Sequence, residues 1–259
     1  MSVTDEIVAG YGSVQAGQEA FYKDLHEHPE LSHQEHRTAG KVAGQLEKYG
    51  FTVQTGIGGT GVVGVLANGD GPTVLLRAEL DALPIREDTG VDYASTVTVQ
   101  GADGHEVPVA HACGHDMHMS CLLGMAKLMA ASPGRWNGTL LALFQPAEET
   151  GDGAQGMVDD GLLKGIPAPD VALAQHLLPG IAGTVATTPA NSPRRPSART
   201  SASFPMPRAS RTPTGASGAP TGRSTSPPRR KGACRTSPAT THRNSCPRCS
   251  PPCELAPRP

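Results

Sequence analysis

The apolar periodicity of this chain stops near residue 188, and that break bounds what it can fold into. From residue 191 to 259 there are fourteen prolines and twelve arginines, and no Ile, Val, Tyr or Trp. Fixing one residue's backbone costs roughly 1–2 kcal/mol, and such a stretch buries too little apolar surface to offset that. Residues 189–259 are therefore expected to be a disordered Pro/Arg/Ser-rich tail, with the fold carried by 1–188. Charge divides at the same place. Residues 191–259 hold thirteen basic residues and one acid, whereas 1–190 hold nine basic residues and 23 acids. An acidic body suits a soluble enzyme that binds metal cations, and it argues against nucleic acid as the partner.

Within 1–188 the pattern alternates between helix and strand periods. Residues 14–49 read as two helices broken near His28-Pro29-Glu30-Leu31-Ser32, with Ala20, Phe21 and Leu25 and then Ala39, Val42, Ala43 and Leu46 at helical spacing. Pro29 biases His28 away from helix, Ser32 is the expected N-cap of the second helix, and Gly50 its C-terminal stop. Strands are expected at 51–53, 62–67, 73–77, 139–144 and 171–174, and helices at 117–129 and 153–160. Residues 81–110 read as loop. The glycine-rich run 56–61 is a connector, since no Lys-Ser/Thr or helix follows it as a phosphate loop requires. Alternating elements of this kind predict an α/β layered domain, its apolar strands covered on both faces.

The chemistry gathers in a few places. His111-Ala112-Cys113-Gly114-His115-Asp116 puts a thiol and an imidazole two positions apart, just before the helix at 117–129. With Gly114 freeing the backbone between them, both can face one metal ion. Glu148 and Glu149 follow Gln145-Pro146-Ala147 at the end of a buried strand, and His176 ends another, where active sites of open α/β sheets gather. Adjacent side chains near a strand end should diverge, leaving one carboxylate to bind metal and the other to accept a proton from polarised water. Each residue alone also has an ordinary reading: a core thiol, a solvated Glu-Glu turn, a satisfied core histidine. His26, His28, His33 and His36 read as solvated or packing residues. His105 and His118 carry no assignment, and His111 is a candidate to orient the metal loop.

Four motifs occur in order: His26-Glu27-His28-Pro29-Glu30-Leu31-Ser32, Arg77-Ala78-Glu79-Leu80-Asp81-Ala82-Leu83-Pro84, the run from His111 to Asp116, and Gln145-Pro146-Ala147-Glu148-Glu149. On these the chain resembles the metal-dependent amidohydrolases that include hippurate hydrolase, N-acyl-amino-acid amidohydrolases and auxin-conjugate hydrolases, over about residues 15–188. The resemblance implies a zinc-aminopeptidase-like three-layer α/β catalytic domain. It also implies a centre of two divalent ions (zinc, manganese or cobalt) on Cys113, His115, Glu149 and His176. Glu148 would be the general base and Asp81 a carboxylate supporting a metal ligand. In two-metal sites the ions lie about 3.5–4 Å apart, a gap a bridging Cys113 thiolate could span. The implied substrate is a small N-acyl amino acid or similar amide conjugate.

Departures accompany the resemblance. Relatives insert a lid or dimerisation domain after the position of about residue 190, then return to supply further strands and a last histidine ligand. Neither is recognisable here, so the domain reads as truncated and an oligomer as doubtful. The only later histidine, His242, lies in the tail, as do Cys234, Cys246, Cys249 and Cys253. The tail is rich in the residues that GC-rich codons encode, so an out-of-frame origin is expected, and the other reading frames of the gene test it. No signal-like segment opens the chain and no apolar run approaches the roughly 18 residues of a membrane span, so a cytoplasmic location is expected.

Overall fold

The computed structural model describes residues 1–101, 104–178, 180, 184 and 185, all within Met1–Ser210, the first of two units into which the chain divides. The tail, with His242 and its four cysteines, lies outside the described residues.

The first half builds one helical layer. A short helix α1 (Val3–Val8), closed by a reciprocal Ser2–Asp5 capping box, precedes α2 (Gln15–Glu27) and α3 (His36–Lys48). Ala39, Val42, Ala43 and Leu46 form the buried stripe of α3. Gly50, at φ +87°, ends it in the left-handed conformation. The start of α3 differs from expectation. Ser32 does not cap it; the helix begins four residues later, and the Glu30 carboxylate accepts from the backbone N–H groups of Arg37 (3.0 Å) and Thr38 (2.8 Å). A carboxylate suits those unpaired donors and the positive end of the helix dipole better than a hydroxyl does. Ser32 is thereby free for another partner.

The strands are β1 (Thr52–Ile57), β2 (Gly61–Asn68) and β3 (Thr73–Glu79). The region expected as loop contains a small separate hairpin, β4 (Thr98–Gln100) and β5 (Glu106–Pro108). Then come α4 (His115–Ala130), β6 (Gly138–Gln145), α5 (Gly153–Asp159), α6 (Leu162–Gly165) and β7 (Val171–Ala174). Five strands form one sheet in the order β1-β2-β6-β3-β7. β2 runs antiparallel to β1 and β6, whereas β3 is parallel to both β6 and β7.

Side-chain alternation sorts the core into two sides. Leu140, Ala142 and Phe144 of β6 pack with Leu25, Leu46 and Met119 from α2, α3 and α4. Leu141 and Leu143 face the opposite way, onto Met157, Leu162 and Ile166. Helices thus cover both faces, giving the expected three-layer α/β domain, and burying a side chain such as Phe144 is worth about 1.5–3 kcal/mol. Cover thins at the sheet's edges: β1 has one buried residue, Ile57, and all four residues of β7 are exposed. Because β3, β6 and β7 are parallel, their carboxyl ends lie side by side, with Glu79 opposite Gln145 and Arg77 opposite Ala174. The chain leaves all three strands toward one place.

Candidate metal centre

Asp81, two residues beyond β3, is fully buried. Its Oδ2 accepts from the Ser32 hydroxyl at 2.7 Å and the Glu149 backbone N–H at 2.9 Å, which is where the side chain expected to cap α3 goes. Burial pushes the Asp81 carboxyl up, but His115 and these two donors pull it below the usual range. The backbone oxygen of Asp81 accepts from His115 Nδ1 at 2.8 Å, with Oδ1 of Asp81 3.4 Å from the same nitrogen. His115 is the first residue of α4 and has no exposed surface. With Nδ1 committed to Asp81, Nε2 faces the opposite way and has no hydrogen-bond partner among the described residues. Burial lowers the affinity of His115 for a proton; Asp81, Cys113 and Glu79 more than reverse that and hold it up at about 11. A cation is favoured at this point.

The segment 113–115 brings a second donor. Cys113 Sγ lies 3.3 Å from His176 Nε2. His176 Nδ1 faces the carbonyl of Leu177 at 2.6 Å, so Nε2 is the nitrogen left for another partner. Gly114, at φ +85°, passes so close to Leu177 that a Cβ there would lie 2.9 Å from a methyl group of that side chain. A side chain at position 114 would be strained at that φ and would force the Leu177 side chain to move.

Glu148 and Glu149 do not diverge. Glu148 Oε2 is 3.8 Å and Glu149 Oε1 3.9 Å from the same His115 Nε2. They leave strand alternation because Ala147 adopts φ +47°, a conformation that costs a non-glycine residue about 1–3 kcal/mol. That kink is held by Glu35, itself fully buried. Its Oε1 accepts the Ala147 N–H at 2.8 Å and its Oε2 the Thr60 hydroxyl at 2.7 Å. Burial raises Glu148 above the ordinary carboxylate range; His115 opposes the rise, and the neighbouring carboxylates, Glu149 first, reinforce it.

All five expected donors and acceptors thus meet around His115. Cys113, His115 and His176 form one group whose ligand atoms lie within 4.8 Å of one another, and His115, Glu148 and Glu149 form another. The buried, unpartnered Nε2 of His115 and Oε1 of Glu149 are what a cation would satisfy, and mixed S, N and O donors fit a divalent ion.

Several residues have roles that sequence reasoning did not assign. Glu79 is buried, pairs with the Arg77 guanidinium, and faces His118 Nδ1 at 2.9 Å. Arg77 also donates to the Gln145 side chain at 2.7 Å. His118 sits three residues after His115 on one helix face, a spacing that could have flagged it. His111, expected to orient the metal loop, makes no hydrogen bond through either ring nitrogen among the described residues, and burial pushes it down to about 4. His26, expected as a solvated or packing residue, instead links two carboxylates. It sits edge-on to Tyr93 and bridges Asp116 (2.6 Å) and Glu87 (3.0 Å).

Residues 75–248 match the profile of peptidase family M20/M25/M40, a match that opens in β3 and extends past the described residues. The chain is 41% identical over 165 residues to the N-acetyl-L-cysteine deacetylase of Bacillus subtilis, covering 63% of this chain and 37% of that one. It is 35% identical over 163 residues to an IAA-amino acid hydrolase of Arabidopsis thaliana, covering 62% and 33%. Among solved structures it resembles the Bacillus subtilis YXEP protein, a dinuclear metal binding peptidase from the M20 family. The identity is 35% and the TM-score 0.56, over 65% of this chain and 44% of that one. The chain therefore spans about a third of the length of these curated relatives. Its three-layer fold agrees with a profile covering more than half of its residues, and both place the chain in peptidase family M20/M25/M40, whose members are hydrolases.

Proposed function

We propose that this chain carries the centre of a metal-dependent hydrolase cleaving the amide bond of N-acyl amino acids or similar conjugates. The observation that carries the reading is the meeting of Cys113, His115, Glu148, Glu149 and His176 where three parallel strands end. Cys113, His115, Glu149 and His176 would hold two divalent ions, with zinc, manganese and cobalt all suited to such donors. Bound there, the ions would supply Lewis acidity toward the amide carbonyl and make water a stronger acid.

The remaining work falls to side chains. Asp81 fixes the ring of His115 through Nδ1, so that Nε2 points at the two glutamates. Glu148, with a proton affinity above that of an ordinary carboxylate, takes the proton of the attacking water and passes it to the leaving amine. Two relatives point to this substrate class by name, one a deacetylase of an N-acetylated amino acid and the other a hydrolase of IAA-amino acids. Among the described residues no helix is long and apolar enough to cross a membrane, and a cytoplasmic location remains part of the proposal.

The second reading is a metal-binding fragment without turnover, since neither a lid domain nor a last histidine ligand is recognisable in the sequence. Metal content measured alongside hydrolysis of hippurate-like substrates separates the two. Turnover abolished by Glu148→Gln, with metal content unchanged, supports the enzyme. Stoichiometric metal with no turnover supports the fragment.

A further inference from the structure

His118 is buried on α4, one turn beyond His115, and both of its ring nitrogens are engaged. Nδ1 lies 2.9 Å from the Glu79 carboxylate, and Nε2 lies 2.9 Å from the backbone N–H of Leu177. A backbone N–H can only donate, so Nε2 is the acceptor and the proton sits on Nδ1, facing Glu79. The backbone carbonyl of His118 accepts from the Gln175 side chain at 3.1 Å. Residue 118 thus fastens both neighbours of His176, and its ring meets the His176 ring edge-on with centroids 4.8 Å apart. Glu79 is in turn fixed by Arg77.

The anchorage matters because the chain has already left the pairing of β7 with β3 when it reaches Gln175. Residues 175–178 are exposed, yet His176 Nε2 stands 3.3 Å from the Cys113 thiol. His118 falls within ligand distance of Glu79 and His115, but with Nδ1 and Nε2 both taken it has no lone pair free for an ion.

We propose that His118 is a positioning residue that sets His176 against Cys113, acting through Leu177 and Gln175 and backed by Glu79 and Arg77. This rests on the reading of His176 as a metal ligand. A glutamine amide reaches about as far as Nε2 of the imidazole and an asparagine amide about as far as Nδ1, so two variants separate the two arms. His118→Gln keeps an acceptor for Leu177, whereas His118→Asn keeps only the donor to Glu79.

The test is a cobalt(II) titration of the full chain, followed through the thiolate-to-cobalt absorption of Cys113, with His176→Ala as the reference. Loss of an outer partner weakens metal binding about 10–100-fold. His118→Asn is expected to lose affinity on that scale and His118→Gln to stay close to the unaltered chain. If His176→Ala binds cobalt like the unaltered chain, the ligand reading fails and the positioning role falls with it. If His176→Ala weakens binding and His118→Asn does not, the positioning role alone is overturned. Equal losses in the Gln and Asn variants remove the Leu177 arm. A measurement independent of any variant is the nitrogen-15 spectrum of the metal-free chain. His118 is expected in the Nδ1–H tautomer, and an Nε2–H tautomer overturns the proposal.

Discussion

Replacing Glu35 should cost stability in a way that depends on which atoms are lost. The wild-type side chain has no exposed surface and accepts two hydrogen bonds, from Ala147 N–H at 2.8 Å and Thr60 Oγ1 at 2.7 Å. Hydrogen bonds to a carboxylate are worth about 1.5–3 kcal/mol each. Glu35→Ala removes both, leaves an amide N–H buried beside a left-handed residue, and opens a cavity. The variant no longer has to strip water from a carboxylate on folding, which offsets part of the loss, so the net cost is about 2–4 kcal/mol. Glu35→Gln keeps an oxygen for Ala147, and the Thr60 hydroxyl can turn to accept from the new amide, so its cost is about 1 kcal/mol. Urea unfolding followed by fluorescence of Trp136, which packs against the helical side of the core, reads both values. The same variants should rank identically in metal affinity, because Ala147 sets the direction of Glu148 and Glu149. Equal unfolding free energies for the two variants would show that the Ala147 bond does not hold the kink.

Two further outcomes follow from the site. Without metal His115 holds its proton up to about pH 11, so an ion binding its Nε2 near neutral pH must displace that proton. Affinity should then rise with pH, and calorimetry in buffers of different ionisation enthalpy should show at least one proton released per chain; buffer-independent heats would contradict this. A Cβ at position 153 would lie 1.7 Å from the carbonyl oxygen of Pro146, a backbone atom that cannot swing aside. Gly153→Ala should therefore lower the melting temperature by many degrees or prevent folding, and a thermal scan matching the unaltered chain would refute that packing.

Much of this was legible in the chain itself, and the reasons are physical. The run Thr139 to Phe144 reads as a buried strand because every residue but Thr139 is apolar, and β6 extends it by one residue at each end. Cys113, His115, Glu148, Glu149 and His176 stand out because chemistry of their type sits beside glycine or at strand ends. What stayed hidden are contacts whose partners lie far apart in sequence. Nothing local announces that Glu35 will clamp Ala147, 112 positions away, or that His118 will meet Glu79 and Leu177. Ser32 departs from its local pattern for the same reason. Its local pattern suits a helix cap, but a buried carboxylate 49 positions on takes its hydroxyl. The expectations for residues 189–259 concern chain outside the described residues.

The strand order has a consequence for the timing of synthesis. β3 lies between β6 and β7, so the strand made third pairs only with strands made much later. His176 follows the last of these, so until β7 has docked on β3 the imidazole of His115 is the one that stands beside Cys113 among the described residues of this group. A nascent chain halted short of residue 171 would carry the thiol, His115 and both glutamates, but not the second imidazole. On the proposed ligand set, metal loading is expected to be a late event in synthesis, and metal retention should report that the last strand has found its place.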